Sequence, residues 1–184
     1  MKKLPPLLLA ALALGTATSL GLAQIKEYTL PEMIEDADGA VYGEIIASGV
    51  FKTESPFEET AYYFTTLTLE GKSLSDGTAV TLDVTYQGGF LNAEEGYWNS
   101  EAPLADDVKV GNRVVAFYDW KDDLGGGVSA NTLVALHGGL FRTVESGKQP
   151  VALGRGKGFA IEANTSIADL ELAVRRLERA KKNR

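Results

Sequence analysis

The residues that could do chemistry are few and scattered. Asp119, Asp122 and Asp123 cluster ahead of Gly125-Gly126-Gly127. Carboxylates gathered on a loop are what a hard cation such as calcium takes, but the spacing is not that of an EF-hand and the closing glutamate is missing. A solvated turn between strands is the alternative. Glu58-Glu59, Glu94-Glu95 and Asp106-Asp107 are further acidic pairs. Two carboxyl groups held about 5–10 Å apart would suit glycoside hydrolysis, yet nothing in the sequence selects a pair. His137 is the single histidine. As a general base it would need an oriented partner, and as a zinc ligand about two companions. Gly154-Arg155-Gly156-Lys157-Gly158 lacks the spacing and the Lys-Ser/Thr ending of a phosphate loop, so it reads as a flexible turn. With no cysteine, thiolate catalysis and cysteine-held zinc are excluded. No motif asks for a cofactor.

One aromatic pair stands apart. Tyr97 and Trp98 lie in Phe90–Val110, the longest piece without a strand or helix pattern. Irregular segments of that length are uncommon and often functional. The pair either lids a ligand pocket or folds back to close one end of a sheet.

The elements that must position these groups are mostly strands. From Tyr62 to Gly89, Tyr63, Thr65, Leu67 and Leu69 alternate with Phe64, Thr66 and Thr68, then Val80, Leu82, Val84 and Tyr86 with Thr81, Asp83 and Thr85. Period-two alternation puts one face in a core and one in water. Gly71, Ser73, Ser75, Asp76 and Gly77 supply the reversal, giving a long antiparallel hairpin. Ala40–Val50 predicts a preceding strand with a bulge or bend at Gly43, and Phe51–Thr60 a loop. Arg113–Trp120 is apolar at nearly every position, so it is predicted to be covered on both faces. Val128–Arg142 predicts a strand pair or one bent strand broken at Gly138-Gly139. Thr29 with Glu32 is a capping box opening a short helix, with Pro31 in its first turn and Gly39 ending it. Ser166 with Asp169 caps a second helix whose apolar face is Ile167, Leu170, Ala173, Val174 and Leu177, and whose end is basic. That basic end suits the helix dipole or an anionic surface.

Met1–Ala23 has the form of an export signal: Lys2 and Lys3, an apolar run Leu7–Leu14, then small residues at Gly21 and Ala23. The domains are therefore a signal peptide over 1–23, a barrel over 24–163 and a basic amphipathic helix over 164–184. The run is shorter than the roughly 20 residues a bilayer needs, so no transmembrane span is expected after cleavage. The chain is expected outside the cytoplasm, periplasmic or extracellular. Its formal charge is −7, which disfavours nucleic acid as a partner. No cysteine can form a disulfide or carry a lipid, and 45% hydrophobic residues must supply the core.

Between Thr29 and Thr143 a set of motifs follows in order: Val41-Tyr42-Gly43-Glu44-Ile45, Leu69-Glu70-Gly71, Gly88-Gly89, Val110-Gly111-Asn112-Arg113-Val114 and Gly138-Gly139-Leu140-Phe141-Arg142. This order resembles exported bacterial domains of unassigned role that are similar to the netrin/tissue-inhibitor-of-metalloproteinase module. Glu70-Gly71 and Asn112 depart from the Lys-Gly and Val-Gly-Glu of those domains. The resemblance implies an OB-fold barrel. Inhibition through an N-terminal cysteine does not carry over to a chain without one. The expected fold is mainly β: an antiparallel Greek-key OB-like barrel of about five strands with a short N-terminal helix and a C-terminal amphipathic helix. The expected function is a non-enzymatic binding or interaction module for a protein or small ligand, touching its partner near Phe90–Val110. The alternatives are a metal-assisted or carboxylate-based hydrolase and a cell-envelope structural protein.

Overall fold

The computed structural model describes residues 27–54, 61–147 and 149–183. The export-signal stretch and Glu58-Glu59 lie outside them. In chain order the elements are α1 (Leu30–Asp36), β1 (Gly39–Glu54), β2 (Ala61–Ser73), β3 (Ala79–Gln87), the two-residue strands β4 (Gly89–Phe90) and β5 (Gly96–Tyr97), β6 (Arg113–Lys121), β7 (Ala130–Leu133), a 3-10 turn at Leu136–Gly139, β8 (Leu140–Ser146), β9 (Gln149–Ala152), β10 (Thr165–Ser166) and α2 (Ile167–Lys182).

Five strands close into a barrel in the order β1-β2-β3-β7-β6 and back to β1. Among the described residues all pairings are antiparallel but one. The barrel closes through a parallel contact of β3 with β7 at Thr85 and Thr132, the arrangement of an OB fold. Its interior is filled by the inward positions of the alternation: Val41 and Ile45, Leu67 and Leu69, Val84, Val114 and Ala116. A second core lies against the other face of β6. There Val115 and Phe117 meet Met33 and Ile34 of α1, Leu170 and Val174 of α2, and Phe141 of β8. Phe141 stands edge-on to Phe117 with centroids 6.2 Å apart. β6 is thus apolar at successive positions because it faces two cores.

Both helices start where the sequence places them. The Thr29 hydroxyl accepts from the Glu32 amide while the Glu32 carboxylate accepts from the Thr29 amide, and Ser166 accepts from the Asp169 amide. No helix among the described residues is long and apolar enough to cross a membrane. The basic end of α2 serves α1 as well. Lys181 Nζ donates to the carbonyls of Ile34, Glu35 and Ala37 at 3.2, 2.8 and 3.1 Å, groups an isolated helix leaves bare.

Three boundaries differ from expectation. β1 runs on through Phe51–Glu54 because Ala61–Phe64 offers it partners, and Phe51 stacks on Phe64 with centroids 5.5 Å apart. Its bulge falls at Ile46, where the register with β2 slips, rather than at Gly43. Gly43 sits opposite Gly71 within the pairing. A Cβ on Gly71 would collide with the Tyr42 carbonyl and the Gly43 Cα, so the pair lets the two backbones press together where the barrel curls. Gly71 and Ser73 accordingly belong to β2, and the reversal lies beyond them. α1 ends at an extended Ala37. Gly39 instead opens β1 beneath Tyr118, whose hydroxyl lies 2.6 Å from where a Cβ would stand.

Candidate functional site

The Phe90–Val110 segment lies across one end of the barrel. Ala102 and Val108 pack onto the interior cluster, and Pro103 is buried. These residues, not Tyr97 and Trp98, close the sheet end. Tyr97 terminates the short β4–β5 hairpin, and Trp98 follows it with 72% of its surface exposed. Between hairpin and barrel is a cleft of about 340 Å³, floored by Thr65 and Tyr86 and rimmed by Phe90, Tyr97, Trp98 and Leu104. The Thr65 hydroxyl donates to the Gly88 carbonyl at 2.6 Å. Burial pushes the Tyr86 phenol above its ordinary range, opposed by Thr65.

The loop is tied down by polar side chains. The Asn99 amide donates to the Gln87 carbonyl at 3.0 Å. The Asn112 amide donates to the carbonyls of Asp106 and Asp107 at 2.7 and 3.2 Å. Lys52 pairs with Glu95 at 3.1 Å, which holds the Glu95 carboxyl below the usual glutamate range and raises the lysine. His137 also works on this loop: its amide donates to the Glu101 carbonyl at 3.0 Å, and its ring Nδ1 lies 3.0 Å from the same oxygen. A carbonyl only accepts, so the proton sits on Nδ1.

Arg155 is the residue sequence reasoning missed. The glycine-flanked turn that carries it places its guanidinium against Phe141 and Phe159, 5.5 and 5.9 Å from their centroids. It donates to the His137 carbonyl at 2.7 Å and to the Asp107 carboxylate at 3.0 Å. Burial pulls it below the ordinary arginine range, partly offset by Asp107. Arg155 therefore bolts the loop to the second core.

The aspartates proposed for metal do not converge. Asp119 accepts from the Thr132 hydroxyl at 2.6 Å and pairs with Lys121 at 2.5 Å. Asp122 accepts from the Trp120 indole at 2.9 Å. Asp123 accepts from the amides of Gly125 and Gly127 at 2.7 and 3.1 Å, folding the glycine turn. Among the described residues no three His, Cys, Asp or Glu gather as a metal site. Of the other acidic pairs, Asp106 is held by Lys109 at 2.6 Å and Asp107 by Arg155.

Another cleft, about 610 Å³, lies where β1, β2 and β3 bend past Gly43 and Gly71. Three of its charges are engaged: Arg113 lies 3.5 Å from Glu44, and Lys72 pairs with Glu171 of α2. The Tyr42 hydroxyl beside it is buried without a hydrogen-bond partner, although it lies close enough to raise the Arg113 guanidinium together with Glu44. No family model, curated protein or solved structure matches the chain.

Proposed function

We propose that the chain is an exported, non-enzymatic interaction module that takes hold of a protein partner through the Phe90–Val110 loop. One observation carries this. Ten large hydrophobic side chains are exposed among the described residues, and six of them (Phe90, Leu91, Tyr97, Trp98, Leu104 and Val110) stand on this single loop. Scattered exposed hydrophobics are ordinary, whereas a concentration of them marks a contact surface. Trp and Tyr beside a cleft are the side chains that anchor such surfaces. The fixed loop favours binding, because little freedom remains to be lost on association. The export-signal form of Met1–Ala23 supports an extracytoplasmic setting. The order of features, joined to the OB barrel, supports kinship with the netrin-like domains.

The test is Trp98→Ala combined with Leu104→Asp in the full chain. Both positions are exposed, so stability should stay within roughly 0.5 kcal/mol. Chemical cross-linking in the producing cell should capture a specific partner with the unaltered chain and lose it with the variant. Loss of the tryptophan anchor alone should weaken the purified pair about 30-fold, the equivalent of roughly 2 kcal/mol. An identical set of cross-linked proteins from both chains would remove the proposal.

A further inference from the structure

A third cleft, of about 310 Å³, lies where the outer face of β2 and β3 meets the β6–β7 turn. We propose that it binds a neutral oligosaccharide. Trp120 is its platform, 51% exposed at the end of β6. The ring is held in place: the indole N–H donates to Asp122 at 2.9 Å, and the Trp120 amide donates to the Asp38 carboxylate at 2.7 Å. Around it stand short hydrogen-bonding groups. The Thr66 and Thr85 hydroxyls touch each other at 2.9 Å. The Asn131 amide donates to the Asp83 carbonyl at 3.1 Å, and the Thr68 hydroxyl donates to the Asp83 carboxylate at 2.7 Å. Ser129 also lines it, with Phe51, Val128 and Ala130 adding apolar surface beside the indole.

A pyranose ring has one apolar C–H face and a girdle of hydroxyls. It calls for a fixed flat aromatic surface beside short donors and acceptors, with a carboxylate to take neighbouring hydroxyls. This sheet face of an OB barrel suits either sugars or nucleic acid strands, and charge decides between them. A strand of phosphates requires cations. Among the described residues no lysine or arginine lines the cleft, and the chain carries a formal charge of −7. An extended peptide would seek an unpaired strand edge, but here Thr66 is paired to both Gly49 and Thr85, and Thr85 also to Thr132. The inference is independent of the loop interface, since it uses different residues on a different part of the barrel.

The experiment is a printed glycan array with the full chain, followed by calorimetry with the best neutral oligosaccharide. Binding to a neutral glycan is expected, weakened at least about tenfold by Trp120→Ala and largely kept in Trp120→Tyr. Asp83→Asn and Asn131→Ala should each weaken it, which guards against Trp120→Ala failing to fold. Trp98→Ala should leave it unchanged. Failure of every neutral glycan to bind, a preference for sulfated glycans or oligo-dT, or affinity indifferent to Trp120, Asp83 and Asn131 alike would each overturn the proposal.

Discussion

Arg155 offers the sharpest test of how the loop is held. Arg155→Met keeps an unbranched stem against Phe141 and Phe159 but deletes the charge. Among the described residues it leaves Asp107 with Arg142, whose Nε is 3.9 Å away, and it deprives the His137 carbonyl of a donor. The Arg155 and Asp107 side chains are 19% and 14% exposed, so the pair is largely withdrawn from water. Removing one member of a buried pair leaves the other charge uncompensated, which costs about 3 kcal/mol. At this chain length each kcal/mol moves Tm by about 2–4 °C, so Arg155→Met should melt roughly 6–12 °C early. Asp107→Asn should lose a comparable amount. The double variant should recover about 1–3 kcal/mol relative to the sum of the singles, because no lone charge is left behind. Urea unfolding of the four chains measures this. Hydrogen exchange should report faster opening at residues 99–112 in Arg155→Met. If the two substitutions add to within roughly 0.5 kcal/mol, the bolt described here is wrong.

Three further outcomes are expected. Gly71→Ala should cost about 2 kcal/mol or more in urea unfolding, because the new Cβ meets β1 backbone that cannot turn aside; a neutral result would refute the close approach. Lys181→Met should cost about 1–2 kcal/mol, since three helix-end carbonyls lose a charged donor, and a change at some other solvent-facing position of α2, such as Arg176→Met, should not. Glu95, depressed by Lys52, contributes stability that is present above the unfolded glutamate pKa and disappears as pH falls through its lower folded value. In an NMR titration its midpoint should sit below the ordinary glutamate range and climb toward it in Lys52→Met, so a midpoint that ignores the substitution sinks the pairing.

The hairpin β2–β3 was legible because its inward residues alternate with polar ones, and the helices because Thr29 with Glu32 and Ser166 with Asp169 announce them. β6 could be recognised as doubly covered from its unbroken apolar run. What escaped depends on neighbours distant in sequence. Arg155 meets Asp107 across 48 residues, and no local pattern marks either as a partner. Gly43 and Gly71 look like ordinary turn or bulge glycines until the two strands are laid together. Asp119, Asp122 and Asp123 share a stretch of chain but separate fates. The first lies in a strand and the others fold a turn, so closeness in sequence became divergence in space. Tyr97 and Trp98 were singled out for their type and setting. The pieces that shut the barrel end, Ala102 and Val108, are too plain to be noticed.

β6 also sets an order of assembly. Every barrel strand precedes α2 in the chain, so during synthesis Val115 and Phe117 emerge well before Leu170 and Val174. Until α2 docks, the outer side of β6 stands open to water, so a chain shortened before Ile167 should show Val115 and Phe117 to solvent and bind an apolar dye that the full chain does not.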